Sequence, residues 1–278
     1  MNLDAKENCS NKLSPRKNDR NFDDLKDLFQ ERIYGTIKGN YRLDMTLNDL
    51  ETQLAGYSNQ SDLVGLDIGG GLGQITLSLA KNKMFDQIYY YDISSEMKCH
   101  VDEMIQAERE KNTLLSPITT KVGGLQAAIG DLIVGRTEIS PVANCPDVVC
   151  LHAVLEWLSD PIEDLKLLLK FMKPGAILSL LYYNAIASKK STTAKARKKP
   201  RKPSKLTPYH EFDQAEIEAI LTEGGFDTKI RTGLRIRKFK RDGNEEELNA
   251  YLDAEKKIAR VEPFCRQGRY NHLIAIKR

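Results

Sequence analysis

Between Leu63 and Gln74 the chain reads LVGLDIGGGLGQ, a short apolar run that ends in four glycines within five positions. A run this short, bounded by glycine, reads as a strand rather than a helix. The glycines after it let the backbone take positive φ and bring its N–H groups against a ligand with no Cβ in the way. From here to Tyr183 further apolar runs, QIYYYDI, SPITTKV, PDVVCLH and GAILSLLYY, alternate with amphipathic stretches such as SSEMKCHVDEMIQAERE. That alternation predicts a parallel sheet covered by helices on both faces. Its ligand is expected at the carboxyl ends of the strands, against the first strand-to-helix turn.

After Tyr183 the alternation breaks. Residues 188–205, SKKSTTAKARKKPRKPSK, hold nine Lys or Arg and no acid, and because the whole chain sums to only +3 the remainder is net acidic. On composition two readings stay open, a solvated loop or a polyanion contact. Order resumes with EFDQAEIEAILTEGGF, a helix capped by Asp213 and stopped by Gly224-Gly225. A strand near DTKIRTGLRIRKF, a helix from about Glu245 to Arg260 and a last strand, RYNHLIAIKR, complete the expected elements.

At the other end, the first twenty residues lack apolar periodicity and are expected to form a disordered tail. Phe22, Leu25, Leu28 and Phe29 share a helical face behind a candidate Asn21 cap, and a second helix is expected over Tyr41 to Ala55, with IYGTIKGNYR as the turn between them. The expected organisation is a tail (1–20) and one domain (21–278) with an N-terminal helical cap (21–60) and a basic insert (186–208). No apolar run is long enough to span a bilayer, no secretory leader is visible, and the five cysteines are scattered without CxxC spacing. A cytoplasmic protein with no disulfide framework, no metal and no membrane partner is expected.

The glycine pattern discriminates among ligands. A dinucleotide turn wants GxGxxG, whereas here Gln74 stands where the third glycine belongs and Gly73 comes one position early. The pattern DxGxGxG at Asp67, Gly69, Gly71 and Gly73 instead resembles the first motif of the class I S-adenosylmethionine-dependent methyltransferases. Asp92 ends the second run 23 residues beyond Gly69, the reach from which a carboxylate accepts hydrogen bonds from two ribose hydroxyls. An adenine site is expected after the third strand, at Gly124-Leu125-Gln126. After the fourth strand, CLHAVLEWLSDP lacks the Asn-Pro-Pro-aromatic box of nucleobase amine methyltransferases. Cys145 and Cys150 flank or lie within an apolar strand, which makes both poor nucleophiles. What remains is methyl transfer to a nucleophile that is already competent, such as a carboxylate or hydroxyl.

Six segments in order, DRNFDDL, IYGTIKGNYR, HAVLEWLSDP, LYYNA, TGLRI and GRYNH, spread from Asp19 to His272, resemble the bacterial tRNA 5-carboxymethoxyuridine methyltransferases. The resemblance implies a Rossmann-like α/β class I methyltransferase fold, with a mostly parallel seven-stranded sheet and helices on both faces. It implies S-adenosyl-L-methionine as cofactor, the anticodon arm of tRNA as partner, and the carboxylate of a modified wobble uridine as methyl acceptor. Carried over by position, it implies cofactor contacts at Arg42, Gly69, Gly70, Asp92 and His152, beside the adenine candidates Leu125 and Gln126. A carboxylate with a pKa near ~4 is ionised at neutral pH, so no general base and no catalytic residue are expected. Arg235 or Arg269 would hold the substrate carboxylate, and Tyr182, Tyr183, Trp157 and Tyr270 are candidates to stack on or hydrogen-bond the uridine. With tRNA as substrate, the basic insert is expected to contact phosphates. A small-molecule carboxyl methyltransferase and a noncatalytic RNA-binding protein of the same fold stay open as alternatives.

Overall fold

The computed structural model describes residues 19–31, 35–57, 62–137, 145–187, 205–237 and 245–278. The expected tail, apart from Asp19 and Arg20, and most of the expected basic insert lie outside these residues. The apolar runs become strands β1 (Leu63–Ile68), β2 (Phe85–Asp92), β3 (Ile118–Val122), β4 (Val148–His152), β5 (Ile177–Tyr183), β6 (Phe226–Leu234) and β7 (Tyr270–Lys277). They form one sheet in the order β3-β2-β1-β4-β5-β7-β6. All neighbours are parallel except β7, which runs antiparallel to both β5 and β6.

Helices α1 (Lys26–Phe29), α2 (Ile37–Leu54), α3 (Gln74–Lys81), α4 (Ser95–Glu110), α5 (Leu125–Thr137), α6 (Pro161–Phe171), α7 (Gln214–Glu223) and α8 (Glu245–Ile258) accompany the sheet. Because successive strand residues point to opposite faces, each central strand feeds two cores. Ile68, Val149, Leu151, Leu178, Leu180 and Leu273 pack on one face with Leu125, Leu165 and Leu221 of α5, α6 and α7. Val148, Cys150, Ile177 and Ile274 pack on the other with Leu50 and Leu54 of α2 and Ile75 and Leu79 of α3. Full burial of such a side chain contributes roughly 1.5–3 kcal/mol, so the two layers supply the main cohesion. On β7 this alternation sends Tyr270 and His272 to the α2 face and Asn271 and Leu273 to the α7 face. Among the described residues no helix is long and apolar enough to cross a membrane.

Local chemistry sets the element ends. α2 starts at Ile37, four residues earlier than expected, because Thr36 is extended and its hydroxyl accepts the Gly39 N–H at 3.1 Å. That cap overrides the turn propensity of Gly39. The first helix is shorter than its apolar pattern implied: Asp23–Leu25 is a 3₁₀ turn that leads into α1. Its flanking residue is Phe22, which makes no side-chain cap, in place of the expected Asn21, whose Oδ1 accepts the Asp23 N–H at 2.8 Å in a local turn. Asp213 caps α7 through the Ala215 N–H at 2.9 Å, and Gly225, at φ 81°, ends it. β6 stops at Leu234 because Arg235 adopts φ 60°.

The join between β6 and β7 is tight. A Cβ on Gly268 would lie 2.4 Å from Leu234 N and 2.6 Å from Tyr270 O, backbone atoms that cannot move aside, whereas one on Gly56 would meet nothing within 4 Å. Gly268→Ala is therefore expected to lower the unfolding free energy by roughly 2–3 kcal/mol, and Gly56→Ala to change it by less than about 0.5 kcal/mol. Urea denaturation of the two variants beside the parent chain checks the contrast.

Candidate functional site

The carboxyl ends of β1, β2, β4 and β5 open into a cavity of about 930 Å³. It lies where the strand order reverses beside β1, the position at which open α/β sheets bind ligands. Gly69, Gly71 and Gly73 of the turn after β1 take φ 65°, 54° and 78°. The turn is pinned from β2. The Gly69 and Gly70 N–H groups both donate to the Tyr91 carbonyl, at 2.7 and 3.1 Å, and the Gly71 N–H donates to Asp92 Oδ2 at 2.9 Å. Gly69 lines the cavity as expected, but its companion there is Gly71 rather than Gly70. The missing Cβ of Gly70 faces Tyr90 and Asp67 instead, with no room for a side chain.

Asp92 also lines the cavity, and its Oδ1 accepts the Ser94 N–H at 2.8 Å. Burial pushes its carboxyl up to about 6 against the opposing pull of these backbone donors. Asp67 is fully enclosed, raised by burial to about 6 while bonded to the Thr76 hydroxyl at 2.6 Å, and so holds α3 against β1. After β3, Leu125 reaches the cavity but Gln126 does not. Its amide is buried and donates to Asp164 Oδ2 of α6 at 2.7 Å, which corrects its expected place beside a base.

His152, at the end of β4, lines the cavity. Its Nε2 lies 2.8 Å from Ser179 Oγ, and its Nδ1 is buried with no hydrogen-bond partner. Burial, with His272 and Arg42 nearby, holds its pKa well below the usual histidine value. Arg42 from α2 and Arg235 after β6 both line the cavity and both lie over the Tyr270 ring, at 5.2 and 5.8 Å from its centroid. Tyr183 packs edge-on against Tyr270, centroids 4.5 Å apart. Burial alone would raise the Tyr270 phenol; Arg42, Arg235 and Arg269 outweigh it and hold it below its ordinary value. Arg269 itself is exposed, stacks over Tyr183 at 5.5 Å and does not line the cavity. Tyr182 corrects another expectation. It is wholly buried on the opposite face of β5, edge-on to Phe212, because neighbours in a strand cannot share a face.

Cys150 and Cys145 are buried, and burial beside Asp67 pushes the Cys150 thiol far up, as suits an inert core residue. Among the described residues no group of three or more His, Cys, Asp or Glu side chains is placed to hold a metal ion.

A family model described as a methyltransferase domain matches residues 40–229. Over 269 residues the chain is 32% identical to the tRNA 5-carboxymethoxyuridine methyltransferase of Escherichia coli K12, with 93% of this chain and 97% of that protein covered. The chain belongs to this methyltransferase family. Among solved structures it resembles a magnesium protoporphyrin IX methyltransferase from Synechocystis PCC 6803 with bound SAH, at a TM-score of 0.57 and 16% identity over 92% of this chain and 96% of that one. The same enzyme with bound SAM matches at a TM-score of 0.54 and 15% identity, over 92% and 93% of the two chains. Both likenesses are of fold, and they place this methyltransferase on the Rossmann-like α/β architecture.

Two features of the methyltransferase site escaped sequence reasoning. The segment after Asp19 roofs the cavity: Phe22 meets Trp157 edge-on at 4.9 Å, and Asp19 accepts bonds from the Ser159 N–H and hydroxyl, each at 2.8 Å. On the other side Asp23 accepts from the Ser94 hydroxyl at 2.6 Å, so the roof is tied to the loops after both β2 and β4. The second is Glu156. Both its carboxylate oxygens are buried without a hydrogen-bond partner from another residue, and burial raises its pKa from 4.5 to about 8 despite the field of Arg42.

A carboxyl whose folded pKa lies above its unfolded one binds its proton more tightly when folded. The stability it permits is complete below about 4.5 and declines as pH rises toward about 8. Asp67 and Asp92 act in the same sense only up to about 6. Glu156→Gln is therefore expected to flatten the fall in Tm between about pH 6 and about pH 8, and thermal scans across that interval measure it. An equal fall in parent and variant would show that Glu156 is ionised in the folded chain.

Proposed function

We propose that this chain transfers a methyl group from S-adenosyl-L-methionine to the carboxylate of 5-carboxymethoxyuridine at the wobble position of tRNA, forming the methyl ester. The carrying observation is the pair of guanidinium groups, Arg42 and Arg235, brought to one cavity from distant parts of the chain and gathered over Tyr270. The methyl donor and the acceptor each present a carboxylate, and each needs a cation.

The residues present fit the donor. Arg42 suits its carboxylate, the unpartnered Nδ1 of His152 suits its ammonium, and the remaining lone pairs of Asp92 suit the ribose hydroxyls. Leu125, Ile93 and Met97 give an apolar slot for the base. When bound, S-adenosyl-L-methionine supplies an electrophilic methyl on a sulfonium. The acceptor carboxylate is already ionised at neutral pH, so no group of the chain has to take its proton. Arg235 can hold one acceptor oxygen while leaving the other free. Glu156, uncharged near neutrality, adds no anion beside Arg42 to repel a ligand carboxylate. The Phe22–Trp157 roof excludes water from the two charged partners. What this chain contributes to the rate is alignment and desolvation.

The basic run fits a polynucleotide partner. Its last residue, Lys205, pairs with Asp24 of the segment over the cavity at 3.0 Å. Its lysines and arginines suit anticodon-arm phosphates, which makes affinity fall with salt.

In cells lacking this protein, nucleoside mass analysis of tRNA is expected to show 5-carboxymethoxyuridine rising as its methyl ester disappears; unchanged ester overturns the proposal. In the purified enzyme, Arg235→Lys is expected to raise KM for tRNA about tenfold or more while cofactor affinity, read by calorimetry, stays within about twofold. Parallel loss of cofactor affinity would reassign Arg235 to the donor.

A further inference from the structure

Beneath His152 a hydrogen-bonded chain runs across three strands to the surface. Asp49 of α2 is fully buried, with Oδ1 2.5 Å from Arg260 Nη2 and Oδ2 2.7 Å from His272 Nδ1 on β7. His272 Nε2 lies 2.8 Å from Ser179 Oγ on β5, and the same Oγ lies 2.8 Å from His152 Nε2 on β4. Ser179 and His272 are fully buried, and the proposed reaction uses none of Asp49, His272 or Ser179.

Donor counting fixes the polarity of this chain. A serine hydroxyl has one proton, and Ser179 also meets the Cys150 thiol; because a thiol sulfur is the weaker acceptor, Ser179 donates to one imidazole and accepts from the other. The Asp49 carboxylate can only accept, so His272 carries its proton on Nδ1. Arg260 already supplies the counter-charge of Asp49, so the carboxylate needs from His272 only a neutral N–H donor. A neutral His272 with Nδ1 protonated has a bare Nε2, which accepts from the Ser179 hydroxyl. Ser179 must then accept from His152 Nε2–H, and His152 Nδ1 is left without a proton. That nitrogen is buried, unpartnered, and belongs to a residue lining the cavity beside Arg42.

We infer that Asp49, His272 and Ser179 are positioning residues that fix the tautomer of His152, so that its bare Nδ1 serves as an acceptor for a protonated amine of the ligand. Resting on the cofactor reading above, that amine is the α-ammonium of S-adenosyl-L-methionine, with its carboxylate on Arg42. Substitution of Asp49 by Asn reverses every link. Arg260 still requires an oxygen at the Oδ1 position, so the amide NH₂ faces His272 Nδ1; His272 then donates from Nε2, Ser179 donates to His152 Nε2, and an N–H of His152 opposes the ligand ammonium.

The chain has four histidines, so ring-nitrogen NMR of ¹⁵N-histidine-labelled protein, with His152→Gln to assign the signal, reads the tautomer directly. Wild type is expected to show Nε2–H at His152; an Nδ1–H tautomer overturns the inference without any variant. Asp49→Asn is expected to switch that tautomer and to weaken S-adenosylhomocysteine about tenfold or more by calorimetry, while affinity for 5′-methylthioadenosine, which lacks the amine, stays unchanged. A folded Asp49→Asn chain with the parental tautomer overturns it. Ser179→Ala cuts the link, so adding Asp49→Asn should weaken S-adenosylhomocysteine no further; an equal loss in both backgrounds removes Ser179 from the route. Failure of wild type to bind S-adenosylhomocysteine would strike the cofactor reading alone, since the tautomer is measured on the free protein.

Discussion

The turn after β1 opens with three glycines that have no side chain to hold them in place; β2 holds them. Three consecutive N–H groups, from Gly69, Gly70 and Gly71, end on the Tyr91 carbonyl and the Asp92 carboxylate. This works only because β1 and β2 are parallel with Ile68 opposite Tyr91, which puts the last residue of β2 level with the turn. Asp92 is therefore both the clamp of the turn and the acceptor left for a ligand. Its enclosure costs it charge stabilisation, visible in the rise to about 6, and the backbone donors keep that rise modest.

The rest of the site follows from strands that deliver side chains to one layer. His152, Ser179, Tyr183, Tyr270 and His272 come from three strands but share the face covered by α2, which adds Arg42 and Asp49. Cations collect at the tyrosine pair, and burial raises the pKa of Glu156 nearby to about 8. Two cavity residues, Ala153 and Arg235, take positive φ at the ends of β4 and β6. Backbone strain of this kind is tolerated where the surroundings hold it in place.

Much of this was legible in the residues. Alternating apolar runs and helical stretches determined the layered sheet, because short apolar runs bounded by turn residues suit strands and the longer amphipathic stretches suit helices. The glycine turn and Asp92 were legible because their chemistry is tied to the sheet's carboxyl edge, whereas Arg42 and His152 were placed only by the resemblance; Asp92, Arg42 and His152 all line the cavity. The failures share a cause, which is that the direction of a side chain depends on packing that a linear pattern does not contain. Gln126 follows Leu125 into a helix whose inner face is known only once Asp164 of α6 lies beneath it. Tyr182 and Tyr183 could have been separated by period-two alternation, but which of them faces the cavity depends on where α2 packs. Glu156, inside VLEWL, reads as a solvent-facing charge until Tyr209 and His210 donate to its carbonyl and bring their segment over it. The early start of α2 was available from Thr36 and was masked by the turn propensity of Gly39.

The placement of β7 between two antiparallel partners has a consequence for assembly. A slip of one residue would keep most of its ladder bonds, yet would swing Asn271 and Leu273 into the ligand layer and bury Tyr270 and His272 behind it. Such a misthreaded chain could look native in its backbone and still recognise nothing. Ligand affinity in this fold is thus a sensitive report of whether its last strand was threaded in the right phase.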